Sequence, residues 1–376
     1  MTPQVETNDL GYPEIRNFVS LAHGYNIVKK RDLFSILLNI YFRVFKRIHP
    51  VLQFLHYNPF RKQALYHLFN GISFSNRFIV TFETVIPRLG KGPQWLIDLC
   101  VRQLASKKCL KIIAISECTR RLQLEYLRKN YPAYLPAIQN KLIVIQPPQT
   151  NLINSFTEKK IVSGKIVFSI VGKDFFRKGG FEVLKTFNEL LDQYPQLVLN
   201  IVSDLSYADY ATKSTYEDFQ QAQDIISKRS SNIRYFKSLP NDQVLEMLKT
   251  TNVGLLPTWA DTYGYSVLEA QAAGCPVITT NIRALPEINN NEVGWVIEVP
   301  QHEDGNAKIE TAEEREIVSA VIAAELKKIL LRIIENPSVV VEKGVKSFER
   351  LNNNHSPVKV AQELQGLYRQ NLSART

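Results

Sequence analysis

Cysteine, methionine and tryptophan are all scarce: the 376 residues hold four, two and three of them respectively. So few thiols (Cys100, Cys109, Cys118, Cys275) exclude a disulfide scaffold and point to a reducing compartment. No pair of them has zinc-finger spacing, which argues against a structural metal. Long hydrophobic runs are also missing. The greasiest segment, Phe34 to Phe45, is interrupted by Asn39 and Arg43 and falls far short of the roughly 20 apolar residues that span a bilayer. The first sixteen residues, MTPQVETNDLGYPEIR, have no basic stretch leading into an apolar one, so no signal peptide is expected there. A soluble or peripheral, cytoplasmic protein is the expectation. Acidic residues are thin in one half only. Residues 1–150 carry 21 Lys and Arg against 8 Asp and Glu, net +13, whereas residues 151–376 carry 25 against 28, net −3, together the +10 of the chain. Such a split implies an anionic partner for the first half alone.

With 45% apolar and 22% charged residues the composition is that of a globular protein, and the length suggests about two domains. In the second half, short apolar runs alternate with helical patterns. Strands are predicted at Ile166–Gly172, Val198–Asp204, Asn232–Ser238, Val253–Thr258, Val277–Thr280 and Gly294–Val299. Helices are predicted at Gly180–Tyr194, Ser214–Arg229, Tyr265–Ala273 and in a short stretch capped by Asn241, with helices alone from about Thr311. Nearly continuous apolar strands are buried on both faces, which means a parallel, doubly wound α/β sheet. The first half is less regular. Ala64–Asn70, Arg77–Thr84, Lys111–Glu117 and Leu142–Gln146 read as strands, and Cys118–Asn130 as a helix entered from Ser116. Residues 14–60 read as helical and basic, without an opening strand. Pro147-Pro148-Gln149-Thr150-Asn151 is a natural linker, since it cannot continue a strand. The division expected is 1–150 and 151–356, with the C-terminal helix 357–376 a candidate to complete the first domain.

Ligands of open parallel sheets bind beyond the carboxyl ends of the strands. After the strand ending at Gly172 comes Lys173-Asp-Phe-Phe-Arg177-Lys178-Gly-Gly180, with three cations just before a helix N-terminus. Free amides, a positive helix end and flanking cations suit a phosphate; a solvated basic loop is the equal alternative. After the strand ending at Thr258, Asp261 is followed eight residues on by Glu269, with Gly264 between them. Gly264 permits close backbone approach, and Tyr265, Ser266 and Val267 can turn their amides to an anion. Carboxylates beside a phosphate site suit hydroxyls, which donate to them. Ser266-Val-Leu-Glu269 is equally a capping box, in which Glu269 would serve only the helix. Two helix N-termini, several cations and two carboxylates together describe a nucleoside-diphosphate-sugar site.

The stretch PTWADTYGYSVLEAQAAGCPVITTNIRALPEI, residues 257–288, resembles the signature of the family 4 retaining glycosyltransferases, which have the GT-B fold. VGKDFFRKGG resembles their phosphate loop, and the likeness covers roughly residues 142–300. It implies two Rossmann-like domains facing across a cleft, the N-terminal one irregular and helix-rich. It further implies that Lys178, with Arg177 or Lys173, holds the donor diphosphate beside Gly172, and that amides near Tyr263, Gly264, Tyr265, Ser266 and Val267 complete the cradle. Glu269 would accept from the ribose, Asp261 from hydroxyls of the transferred sugar, and the backbone near Leu239 would meet the base. Departures are Asp261 where Glu is usual, Lys173 where Arg is common, Arg283-Ala284-Leu285 before Pro286-Glu287, and no evident glycine-rich loop near the start of the chain. Glu83 ends the strand FIVTFE where many relatives carry a His. It is either an acceptor-side catalytic group or a strand-end carboxylate paired with Arg88.

The resemblance implies retaining transfer without metal or other cofactor, from a UDP- or GDP-sugar to a hydroxyl acceptor. With no Asp-x-Asp element in view, cations and helix dipoles would stabilise the leaving diphosphate. In the first half, Lys29-Lys30-Arg31, Arg43, Lys46-Arg47, Arg61-Lys62 and Lys107-Lys108 interleave with Phe34, Tyr41, Phe42, Phe45, Phe54 and Phe60. That pattern fits an anionic membrane surface and a lipid-linked or lipopolysaccharide acceptor, or else a solvated helix face whose aromatics are core. His23, His49, His56 and His67 read as packing or surface residues. No nucleic-acid motif is present. The rivals are a sugar-nucleotide epimerase of the same fold, a phosphorylase, whose pyridoxal lysine has no signal here, and a degenerate anion- or membrane-binding module.

Overall fold

A computed structural model describes residues 4–7, 17–29, 32–58, 65–90, 92–160 and 163–373. The chain forms two compact units, Met1–Pro148 with His355–Thr376, and Gln149–Asn354.

The first unit has a six-stranded sheet in the order β2-β1-β4-β6-β7-β8, and a two-stranded one pairing β3 with β5. Its strands are β1 Gln4–Thr7, β2 Asn26–Lys29, β3 Leu55–His56, β4 Leu65–Phe69, β5 Ile72–Ser73, β6 Phe78–Phe82, β7 Cys109–Ala114 and β8 Leu142–Val144. Its helices include α1 Leu33–Phe45, α2 Gln94–Ala105, α3 Glu117–Asn130 and α4 Leu135–Gln139. Ser116 caps α3 by accepting from the Thr119 amide, as its sequence suggests.

Residues 14–60, read as helical, hold the helix α1 but also the strands β2 and β3, and β1 is an opening strand where none is expected. β1 and β2 pair in parallel, with Val5 opposite Ile27, and β1 continues onto β4. β1 escapes sequence reading because QVET has a single apolar residue. Glu6 and Thr7 are nonetheless buried, and the Thr7 hydroxyl accepts from Asn17 Nδ2 at 2.8 Å. A polar strand satisfied this way carries no period-2 signal. Residues 8–16, where a glycine-rich loop would follow β1, lie outside the described residues.

The second unit has the sheet β11-β10-β9-β12-β13-β14, every pairing parallel. Its strands are β9 Ile166–Val171, β10 Leu197–Val202, β11 Ile233–Phe236, β12 Val253–Leu256, β13 Val277–Thr280 and β14 Trp295–Ile297. They alternate with α5 Gly180–Leu190, α6 Tyr216–Lys228, α7 Asn241–Lys249, α8 Tyr265–Ala272 and α9 Leu285–Ile288, and α10 Ala312–Glu335 and α11 Ser338–Asn354 follow. Each strand predicted here is present. Val167, Phe168, Ser169 and Ile170 are all buried, as a strand covered on both faces requires. Asn241 is the first residue of α7 and makes no side-chain cap, so its predicted capping role is not taken up. The strand order runs outward from β9 on one side and from β12 on the other, so the topological switch point lies between these neighbours.

The last helix, α12 Pro357–Ser373, belongs to the first unit. Val360, Leu364 and Tyr368 cluster with Val5, Leu65, Ile79 and Ile113 of the sheet. The Tyr368 hydroxyl lies 2.6 Å from His67 Nδ1, and Nε2 of the same ring lies 2.8 Å from Thr81 Oγ1. Burial pushes the His67 pKa from 6.5 down to about 3, so the ring stays neutral in the folded state. A depressed histidine stabilises above its unfolded pKa, and that stability drains away as pH falls from 6.5 toward 3. His67→Gln should therefore unfold at lower denaturant than wild type at pH 7.5. Its deficit should shrink by about 1.4 kcal/mol per pH unit between 6.5 and 4.5, read from denaturant melts.

Candidate functional site

The loops after β9 and β12 are stitched together by backbone and side chain. The Trp259 amide donates to the Arg177 carbonyl at 2.9 Å. Thr258 Oγ1 sits 3.0 Å from the carbonyl oxygens of Arg177 and Ala260, and Thr280 Oγ1 donates to Thr258 O at 2.7 Å. Phe175 and Phe176 anchor the first loop in the core. Asp204, just beyond β10, receives the Asp174 amide on its side chain at 3.1 Å and the Phe175 amide on its carbonyl at 3.2 Å.

Glycines set the approach of the two helices that follow. Gly179 precedes α5 with φ +76°, and a Cβ there would stand 2.0 Å from the Pro257 carbonyl oxygen. Gly264 precedes α8 with φ +95°, and a Cβ would meet Leu285 Cδ2 at 2.5 Å. Both helix N-termini are thus set at adjoining loops of the switch point, where the helix dipole favours an anion, although the first amide of α5, on Gly180, is given to the Phe175 carbonyl at 3.0 Å.

Lys178 and Asp261 are brought together across these loops. The Lys178 ammonium is ion-paired with Asp261 Oδ2, each side chain only 14% exposed. Asp261 Oδ1 accepts from the Thr262 amide at 2.7 Å. Arg177 is differently placed. Its guanidinium donates to the Ala260 carbonyl at 2.7 Å and is ion-paired with Asp174. That makes it a tie between the two loops, with much of its hydrogen-bonding capacity already used. Lys173 is exposed, and Gly172 leaves β9 with φ +140°.

The remaining expected residues fall out unevenly. Tyr265 and Ser266 are the first two residues of α8, at its positive end. The Val267 amide is already given to the Gly264 carbonyl at 2.9 Å, which corrects its expected place among the free donors. The Tyr263 side chain is 1% exposed and tilts against Tyr265 at 5.3 Å between ring centroids. Its side chain therefore belongs to the core, and any contact with the donor would come from its backbone. The capping box is absent: the N-cap is Gly264 with no side-chain cap, and Ser266 lies inside the helix. Glu269, half-buried, is on the second turn of α8. Leu239 sits in the connection after β11, two places from β9 in the sheet, and lines a cavity of about 280 Å³ with Asn200, Arg234 and Phe236. Glu83, beyond β6 in the first unit, is ion-paired with Arg88 at 2.5 Å, the partner suggested by sequence.

Sequence reading missed Asp204, Thr258, Thr280 and Glu182. Glu182, in the first turn of α5, is buried and accepts from Ser319 Oγ of α10 at 2.7 Å. Burial pushes its carboxyl up, against the pull of that hydroxyl and of Trp259. Among the described residues no group of three or more His, Cys, Asp or Glu is placed to hold a metal ion.

The model of the family Glycosyl transferases group 1 matches residues 153–328, which hold both loops and both glycine-led helices. Residues 153–328 form a glycosyl transferases group 1 domain. The chain is 24% identical over 290 residues to the capsular polysaccharide biosynthesis glycosyltransferase CapM of Staphylococcus aureus, a match over 74% of this chain and 66% of CapM. It thus spans just under two thirds of that relative's length. A glycosyltransferase of Rickettsia africae ESF-5 superposes over all of both chains with TM-score 0.64 and 13% identity. Anabaena Alr3699/HepE, solved in complex with UDP, does so with TM-score 0.58 and 10% identity. At such identities the likeness establishes the fold, an α/β architecture of two parallel-sheet domains of the GT-B type.

Proposed function

We propose that this chain is a metal-independent, retaining glycosyltransferase of family 4, moving a sugar from a UDP- or GDP-sugar to a hydroxyl acceptor without a cofactor. The observation that carries it is Lys178 and Asp261 meeting between two glycine-led helix N-termini at the switch point. Lys178, Lys173 and the amides of Tyr265 and Ser266 suit the diphosphate. Asp261 suits the sugar hydroxyls, and Glu269 the ribose. Departure and attack take place on one face of the sugar. The leaving diphosphate gathers charge as the bond breaks, the cations and helix dipoles stabilise it, and it takes the acceptor proton. A thermal-shift screen of nucleotide sugars tests the reading, because a ligand of the native state raises the melting temperature. If no nucleotide sugar shifts it, the reading fails. An epimerase would instead convert its nucleotide sugar with no acceptor present.

The acceptor belongs, in this reading, to an anionic membrane surface, as for a lipid-linked or capsule-type glycan. Support comes from α1. None of its thirteen residues is buried, and Leu33, Ile36, Leu37, Ile40 and Val44 form one stripe, Ile40 being 54% and Val44 65% exposed. Arg43, Lys46 and Arg47 flank it, also exposed. An apolar stripe with basic flanks fits a helix lying in the headgroup region. The stripe is aliphatic rather than aromatic: Phe34 and Phe54 pack on the core, while Phe42 and Phe45 are exposed. Lys30, Arg31, Phe60, Arg61 and Lys62 lie outside the described residues. Among the described residues no helix is long and apolar enough to cross a membrane. Ile40→Glu with Val44→Glu should lower partitioning to phosphatidylglycerol-containing vesicles at least about tenfold, since each buried side chain contributes roughly 1.5–3 kcal/mol. Flotation of both proteins measures it, and equal binding would remove α1 from the interface.

A further inference from the structure

We infer that Asp261 makes the site discriminate between a sugar-bearing diphosphate and a bare one, by competing with the diphosphate for Lys178. The inference rests on the donor-site reading above and adds a task for the carboxylate that sugar contact alone does not supply.

The Lys178 ammonium is ion-paired with Asp261 Oδ2. Both side chains are mostly shielded from water, so the pair is screened less than a surface pair. The two groups come from different loops, which hydrogen bonds between Arg177 and residues 258–260 hold in place against each other. Lys178 stands next to Gly179, whose backbone is pressed against Pro257. Asp261 is held by the Thr262 amide on its other oxygen. Of the other two cations of this loop, Arg177 is paired with Asp174 and Lys173 is exposed. Lys178 is therefore the ammonium for which an arriving diphosphate and the Asp261 carboxylate contend.

Consider what each ligand returns to Asp261. A bare diphosphate takes Lys178 and leaves a half-buried carboxylate beside a new anion, with nothing donated in exchange. A sugar diphosphate takes Lys178 and offers hydroxyls, which donate to the released carboxylate. The cost of breaking the pair is common to both ligands, and only the sugar-bearing one recovers it. Such a device weakens product retention without weakening donor binding equally.

The test uses the full chain and inorganic pyrophosphate, which needs no knowledge of the base, followed by UDP and GDP. Asp261→Asn keeps the acceptor for the Thr262 amide and removes the charge. Calorimetry should show pyrophosphate binding about fivefold tighter or more in Asp261→Asn than in wild type, the scale of one modest ion pair. Asp261→Glu, which keeps the charge, should not tighten it. Lys178→Ala should weaken binding at least about tenfold, as loss of a charge-assisted contact does, and should abolish the gain from Asp261→Asn in the double variant. If Asp261→Asn does not fold, Asp261→Ala replaces it. Unchanged or weaker pyrophosphate binding on loss of the charge, with Lys178→Ala still weakened, overturns this inference and leaves the cradle standing. Unchanged binding in Lys178→Ala, or none in wild type, overturns the cradle and this inference with it.

Discussion

Lys178→Ala should lower transfer by about 10²–10³-fold, the usual consequence of removing one preorganised stabiliser of transition-state charge. The leaving diphosphate gains negative charge as the sugar departs, and Lys178 is the ammonium that the two loops present together with Asp261. Neither Lys173, which is exposed, nor Arg177, tied to Asp174 and to the Ala260 carbonyl, is placed to substitute for it. The fold should survive. Lys178 precedes α5 rather than packing in it, and its removal leaves Asp261 partly solvated and still bonded to the Thr262 amide. A melting temperature within a few degrees of wild type, alongside the collapse in turnover, is the expected pair of results. Wild-type turnover would refute the assignment of the cradle.

The second large effect is structural, at Gly179. An alanine there must hold φ near +76° and place its Cβ 2.0 Å from the Pro257 carbonyl oxygen. The left-handed conformation costs an alanine roughly 1–2 kcal/mol. The clash is with backbone, so it cannot be relieved by turning a side chain; the loop or β12's exit must move. A fall of about 5–10 °C in melting temperature follows for a unit of this size. Activity should fall further than stability, because that movement carries Lys178 away from Asp261 and parts the two helix starts. Gly90→Ala is the control. It also has positive φ, but no atom lies within 4 Å of the added Cβ, so only the conformational cost applies.

Legibility in the sequence followed burial. The strands of the second unit announced themselves because residues such as Val167, Phe168 and Ile170 are buried on both faces of the sheet and are apolar throughout. β1 did not, because its buried Thr7 accepts from Asn17, ten residues on, and its buried Glu6 accepts from Gln4 Nε2, where apolar residues would have given a pattern. The same distinction runs through the site. Charged residues near helix starts were legible as chemistry. Asp204, Thr258 and Thr280 were not, because their work is to bond carbonyls and amides far away in sequence. Arg177 shows the converse. Its charge suggested a ligand, and its neighbours use it to bind one loop to the other.

By itself the sequence determined the alternation of strands and helices, the two glycine-led helix starts and the identity of the charges beside them. These are local properties, written in periodicity and in residues that tolerate particular backbone angles. Only the tertiary structure decided that Lys178 meets Asp261, that the Val267 amide is spent on Gly264, that Ser266 lies inside its helix, and that the closing helix covers the first sheet through Tyr368 and His67. The first and last depend on where a distant segment comes to rest, which the packing of the whole sheet sets; the Val267 amide and Ser266 follow from α8 starting at Gly264, which Leu285 crowds.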